Sequence, residues 1–351
     1  MNSFRLGQIV AVLGLAAAGS AHSMSTLTSP ASWRFNSATT FNGANFDGVA
    51  RLVFDIDGNL NNGAYACSGT LLAGGEYVLT AAHCADNFNV MQIDFGLNNN
   101  VATATRGVSS ATVFSGWNGT LSTGADIALL KLDQAVTGIQ GFGLTNSTAL
   151  GSNVLMMGYG TTTMGSSTSG PNWNEWGHGH WGMNTYDVTS KVFNDAWDGT
   201  GDNTYGEEYM ADFDNGTVGN NTLGIVAGLT GNSWTSDTWL PNSEALITGG
   251  DSGGGDFVWN GTEWLLAGVH SWGWQFCNGR IDPSCDFSGA NSGSYGDLMG
   301  STAVYSHFDW IQSIVGAGQN NVPEPDSMAL MGIGLVGVLG LRRRYRLRPA
   351  L

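Results

Sequence analysis

Three short segments, far apart along the chain, constrain it more than any other feature: Thr80-Ala81-Ala82-His83-Cys84, Asp126-Ile127-Ala128-Leu129-Leu130-Lys131-Leu132 and Gly250-Asp251-Ser252-Gly253-Gly254. A serine hydroxyl is a poor nucleophile at neutral pH. It becomes useful where an imidazole takes its proton and a buried carboxylate holds that imidazole in one tautomer. A fold that uses the three segments together has to bring positions 83, 126 and 252 to one place.

Composition says how. With 53 glycines among 351 residues and abundant Asn, Ser and Thr, the chain favours short strands joined by polar turns. The central region has no long apolar repeat of helical period, which points to an all-β fold. An apolar content of 42% is ample for a core.

Both ends read as addresses rather than as fold. At the N-terminus Arg5 precedes a short apolar run, Ile9 to Ala18, and Ala21 or Ser23 offers a small residue before a cut. Residues 1–23 are therefore expected to be a signal peptide. At the C-terminus Val322-Pro323-Glu324-Pro325 is followed by an apolar run, Met328 to Leu341, and then by Arg342, Arg343, Arg344, Arg346 and Arg348. The run is short of the roughly 20 residues that cross a bilayer comfortably. The arginines would stay cytoplasmic and leave the rest of the chain outside.

Setting aside Arg5, the five tail arginines, Glu324 and Asp326 from totals of 12 basic and 28 acidic residues leaves six basic against 26 acidic residues. Such a surface repels nucleic acid and anionic lipid, so neither is an expected partner, and membrane contact is expected only through the tail. Four cysteines in an exported chain suggest two disulfides, with three pairings open; Cys67–Cys84 with Cys277–Cys285 is the local solution. There is no Cys-x-x-Cys pair, and no metal or cofactor is expected.

Taken together, Cys67 to Cys84, Asp126 to Leu132, Gly158-Tyr159-Gly160, Gly249 to Gly254, Ser271-Trp272-Gly273 and Thr302 to Ile314 resemble the trypsin-like, chymotrypsin-family serine proteases. The order His, Asp, Ser is that family's order. The tail resembles the PEP-CTERM sorting signal of Gram-negative bacteria, which implies an exosortase partner that cuts near Pro-Glu-Pro and a destination in the cell envelope, on the outer surface or in the extracellular matrix. The first resemblance implies a double six-stranded antiparallel β-barrel with a C-terminal helix. The domain would span 24–318, with a first barrel over about 24–140 and a second over about 141–318, followed by the sorting tail at 319–351. It also supports the Cys67–Cys84 pair.

The resemblance assigns roles. Ser252 would attack a scissile carbonyl, His83 would accept and return its proton, and Asp126 would orient His83. The N–H groups of Gly250 and Ser252 would form the oxyanion hole. Ser271-Trp272-Gly273 would pair with the substrate backbone as an added strand. Leu246, six residues before the serine, would stand at the base of the primary pocket, and its apolar side chain argues against Lys/Arg specificity. His270 would line the pocket, where it could receive a substrate carboxylate, or it would be a core histidine. Asp251 would accept an α-ammonium released by activation, with Arg34-Phe35 as a candidate cut, although the family's Ile-Val-Gly-Gly start is missing. Gly255 replaces the family's proline.

Some features stay apart from this reading. The surplus between Asp126 and Ser252, around Thr161 to Trp239, is expected to form long loops rimming the cleft. Within it His178-Gly179-His180 and Glu207-Glu208 with Asp212-Phe213-Asp214 lack a complete metal-ligand set. Ser306-His307-Phe308-Asp309 fits a capping box that opens a helix through Ile314. The expected function is an exported serine endopeptidase acting on protein or peptide substrates through an acyl-enzyme. The alternatives are an inactive surface or matrix binding protein on the same fold, or an esterase using the same triad.

Overall fold

The structure is a computed structural model that describes residues 24–61, 64–167, 169–199, 205–234, 239–275 and 293–319. The expected signal peptide, Cys277, Cys285 and the sorting tail lie outside these residues.

Six strands form the first half: β1 (Val49–Asp55), β2 (Tyr65–Leu71), β3 (Tyr77–Thr80), β4 (Val90–Phe95), β5 (Ala104–Val113) and β6 (Ala128–Leu132). They close into a barrel in the order β1-β2-β3-β6-β5-β4. Alternation supplies the core, because successive side chains of a strand point to opposite faces. Leu52, Leu71, Val78, Leu79, Ile93, Phe95 and Leu129 are all buried. Burying each such side chain contributes roughly 1.5–3 kcal/mol. Pairings such as Leu79 with Leu129 and Leu52 with Cys67 set the register.

The second half is built on β7 (Asn153–Gly158), β8 (Gly179–Thr185), β9 (Glu208–Asp212), β10 (Gly255–Trp259), β11 (Trp264–Trp274) and β12 (Leu298–Ala303). These run β9-β12-β11-β10-β7-β8 within a nine-stranded sheet whose other members are two-residue strands. No backbone ladder joins β8 to β9. The Asn184 side chain bridges them instead: its Nδ2 donates to the carbonyl of Asp212 at 2.7 Å and to that of Ala245 at 3.0 Å. The expected second barrel is thus a six-strand core whose two ends meet through a side chain, with short edge strands added.

Two expectations about organisation change. The first barrel begins at Val49, not near Met24, because Ser25–Thr26 pairs with Thr163–Met164 and Ala245–Leu246, and Arg34–Phe35 pairs with β8. The surplus segment is also not simply loop. It carries α1 (Ser190–Trp197) and α2 (Thr222–Thr230) on either side of β9. The Thr189 hydroxyl accepts from the Val192 N–H and the Asn221 carboxamide oxygen from that of Gly224, each capping a helix start. A further helix, α3, spans Phe308–Gln319. Ser306 does not cap it: its hydroxyl donates to the Ala303 carbonyl within a preceding turn of 3-10 helix.

Candidate active site

His83 sits in a 3-10 turn, Ala82–Cys84, directly after β3. The turn is tied down by the disulfide between Cys84 and Cys67 of β2, which closes a short loop. A link of that span stabilises a fold by about 3 kcal/mol. Asp126 precedes β6 and is fully buried. Its Oδ2 accepts from His83 Nδ1 at 2.8 Å and its Oδ1 from the His83 backbone N–H at 2.9 Å. The Ser271 hydroxyl donates to Oδ2 at 2.6 Å, and Thr302 Oγ1 donates to the Asp126 carbonyl at 3.1 Å. Burial pulls the His83 pKa down, but the Asp126 charge outweighs it and leaves it above the ordinary value.

Ser252 lies on a loop between the two-residue strand Ala245–Leu246 and β10, and its side chain is half-buried. The loop is pinned from both halves of the molecule. Ser68 of β2 donates its N–H to the Ser252 carbonyl at 2.8 Å and its hydroxyl to the Gly250 carbonyl at 3.0 Å. Gly253, at φ +81°, packs so tightly that a Cβ there would collide with Thr80 Oγ1 and lie 2.9 Å from the Ala81 nitrogen. The nucleophile loop therefore rests on the strand and turn that carry His83. Gly250, at φ +93°, occupies a conformation that disfavours side chains.

The loop's own amides divide into two groups. The N–H groups of Thr248, Asp251, Gly253 and Gly254 donate within the protein, to Asp251 Oδ2, Thr248 O, His270 O and Asp251 O respectively. Among the described residues, those of Gly249, Gly250 and Ser252 donate to no protein acceptor.

Asp251 is fully buried beside them. Its Oδ2 accepts from the Met24 backbone nitrogen at 2.9 Å and its Oδ1 from the Gly160 N–H at 2.9 Å. Burial pushes its pKa up, against the nearby His270 charge and these N–H groups. The Arg34–Phe35 bond, by contrast, lies inside a paired strand, with Arg34 Nε on Glu175 Oε2 at 2.5 Å and Phe35 buried. It is not the group that supplies Asp251 with a partner. Sequence reading missed Met24 because the contact closes 227 residues.

The expected recognition residues separate. Ser271, Trp272 and Gly273 lie on β11, paired on one side with β12 across a bulge between His270 and Trp272. Pairing with β10 ends at Val269, so among the described residues the other edge of 271–273 has no strand partner. The bulge turns Ser271 onto Asp126. Trp272 packs with Phe193, Met210, Leu223 and Leu298, and Trp117, Trp234 and Trp274 lie against the same cluster. Leu246 is buried in the second-half core. His270 corrects the pocket expectation. It is fully buried, with Nε2 on Asp256 Oδ1 at 2.7 Å and Nδ1 on the Asp251 carbonyl at 3.2 Å, so neither nitrogen is left for a substrate carboxylate. Burial opposes its charge, but Asp256 raises the pKa above the ordinary value.

The remaining clusters are structural. His180 is buried 3.5 Å from Glu175, and Asp212 Oδ2 accepts from the Leu223 N–H in the first turn of α2. Among the described residues the one group with metal-like geometry is Cys67, His83 and Cys84, whose thiols are joined in the disulfide. None of the described helices is long and apolar enough to cross a membrane, and the Met328 to Leu341 run lies outside the described residues.

Residues 51–174 match the Trypsin family model, a span that contains His83 and Asp126 but ends before Ser252. Residues 321–344 match the PEP-CTERM protein-sorting motif. No curated protein matches the chain. Among solved structures, the chain is similar to an HL collagenase at 18% identity and a TM-score of 0.49, covering 78% of this chain and 94% of that one. It is also similar to the protease Anisep from Arthrobacter nicotinovorans at 15% identity and a TM-score of 0.43, covering 73% and 90%. The chain therefore carries a Trypsin-family segment in its first half and a PEP-CTERM protein-sorting motif at its C-terminal end.

Proposed function

We propose that this protein is an exported serine endopeptidase. Ser252 attacks the scissile carbonyl, His83 takes its proton and returns it to the leaving amine, and Asp126 holds the imidazole tautomer and stabilises the imidazolium. The N–H groups of Gly250 and Ser252 receive the developing oxyanion. The observation that carries this reading is the chain Ser271–Asp126–His83 beside a loop on which the Gly250 and Ser252 amides are among those without protein acceptors. The substrate backbone adds to the unpaired edge of 271–273. At the position the family resemblance assigns to the base of the primary pocket stands Leu246 rather than a carboxylate, which supports a preference other than Lys or Arg. The sorting motif supports processing by an exosortase-type enzyme and delivery to the cell envelope of a Gram-negative bacterium.

Maturation follows from Met24. A cut after Ser23 turns the Met24 amide into an α-ammonium next to the buried Asp251 carboxylate, which gives that charge a counter-ion. Signal-peptide removal then leaves the enzyme active without a separate propeptide. N-terminal sequencing of active enzyme is expected to start at Met24; a start at Phe35 would contradict this. The function itself is tested by casein hydrolysis. Wild type is expected to cleave and Ser252→Ala to lose nearly all cleavage, whereas equal rates would sink the assignment.

A further inference from the structure

The second half of the molecule holds a fully buried line of polar groups that ends on the nucleophile loop. Tyr186, which follows β8, donates its hydroxyl to Asp256 Oδ2 at 2.5 Å. Asp256 Oδ1 lies 2.7 Å from His270 Nε2, and His270 Nδ1 lies 3.2 Å from the carbonyl oxygen of Asp251. Tyr186, Asp256 and His270 are all 0% exposed. The protons can be placed from these contacts. Nδ1 faces a carbonyl, so it carries a hydrogen. Nε2 lies on one Asp256 oxygen, and the Tyr186 O–H holds the other.

The same histidine grips the loop by its backbone. Its carbonyl accepts from the Gly253 N–H at 2.8 Å and its N–H donates to the Gly254 carbonyl at 2.9 Å. Space is made for the ring by small neighbours. A Cβ on Gly254 would lie 2.7 Å from His270 Nδ1, and one on Gly268 would lie 2.7 Å from Asp256 Oδ2. The titratable groups facing the ring are Asp256 from β10 and Asp251 from the loop, with Tyr186 acting through Asp256.

The peptide that joins Asp251 to Ser252 is planar, so its C=O and N–H point in opposite directions. Fixing the carbonyl fixes the aim of the amide. We propose that His270 is a positioning residue for the reaction: held by Asp256, its imidazole grips the Asp251 carbonyl and so aims and polarises the Ser252 N–H that receives the oxyanion. A donor on the carbonyl side also strengthens the N–H as a donor, because hydrogen bonds in series polarise one another. The inference rests on the reading of Ser252 as the nucleophile.

Single removal of either partner would leave the other buried and unpaired, so the test uses paired variants. His270→Asn/Asp256→Asn keeps a donor N–H where Nδ1 stood, and His270→Val/Asp256→Asn removes it. Active sites are counted with a fluorophosphonate and rates are expressed per labelled serine on a fluorogenic peptide amide derived from casein cleavage sites. The valine pair is expected to lower kcat by about 10- to 100-fold, part of the effect of losing a whole oxyanion donor, with KM little changed. Affinity for a peptidyl boronate should fall in parallel, and the asparagine pair should recover most of the loss. Should the valine pair give no labelled sites, His270→Ala with added imidazole takes its place, and restoration of kcat by imidazole is the expected result. Equal kcat per labelled site in both pairs, or no rescue, would overturn the role of His270 while leaving the triad intact. Failure of wild type to label at all would overturn both.

Discussion

The protein contains two buried His–Asp pairs of nearly equal length, and they differ in what the second ring nitrogen meets. In the first, His83 Nδ1 is 2.8 Å from Asp126, and the ring keeps one tenth of its side-chain surface open. In the second, His270 Nε2 is 2.7 Å from Asp256, the ring is closed off entirely, and its other nitrogen lies on the Asp251 carbonyl. A histidine with one nitrogen bound to a carboxylate and the other open can move a proton. One with both nitrogens bound can only hold its neighbours. On the proposed reading, the same pair of residue types serves proton transfer in one region and geometry in the other, and pairing distance alone does not tell the two apart.

The comparison breaks most sharply on rate. Asp126→Asn should lower kcat by about 10⁴-fold, since it presents His83 with the wrong tautomer, without a comparable change in melting temperature. Asp256→Asn should act the other way. It strands a buried histidine and is expected to lower folding stability by about 3–5 kcal/mol in denaturant titration. If the two substitutions gave the same ratio of rate loss to stability loss, the distinction would fail.

A pH profile sharpens it further. His83 must be neutral to take the Ser252 proton, and Asp126 raises its pKa despite burial. Rate should therefore fall as pH drops through a value above 6.5, by about tenfold per unit below it. Asp126→Asn should move that acid limb to lower pH.

A third buried acid shows what happens where no imidazole stands beside the carboxyl. Burial pushes Glu208 up to about 8, so the folded protein holds it neutral at pH 7. Because its folded pKa lies above the unfolded value of 4.5, its contribution to stability is fully present below 4.5 and is lost as pH rises through about 8. Glu208→Gln should remove a slope of about 1.4 kcal/mol per pH unit between those limits, read from urea midpoints.

How much of this could be read from sequence differs between the same regions. Cys67, His83 and Asp126 lie in segments whose residue order is specific, and the barrel around them is made of the short strands that the glycine- and turn-rich composition suggests. The Ser252 loop was equally legible. The partners of Asp251 and His270 were not, for two different reasons. Met24 reaches Asp251 only through tertiary closure, which no local pattern reports. Asp256 stands on the strand opposite His270, with Asp256 paired to Gly268, so a β10–β11 hairpin register would have put the carboxylate beside the imidazole. That signal was present and was not used. The helices α1 and α2 were hidden for a third reason: each is short, and α2 is apolar on all sides, so it lacks a helical stripe.

The central claim is that Ser252 is an activated nucleophile. The most direct measurement is mass mapping of the mature protein after treatment with a fluorophosphonate. One adduct per chain on the peptide containing Ser252, absent after His83→Ala, is the expected result. An unmodified Ser252, or an adduct that survives the loss of His83 at the same rate, would contradict it.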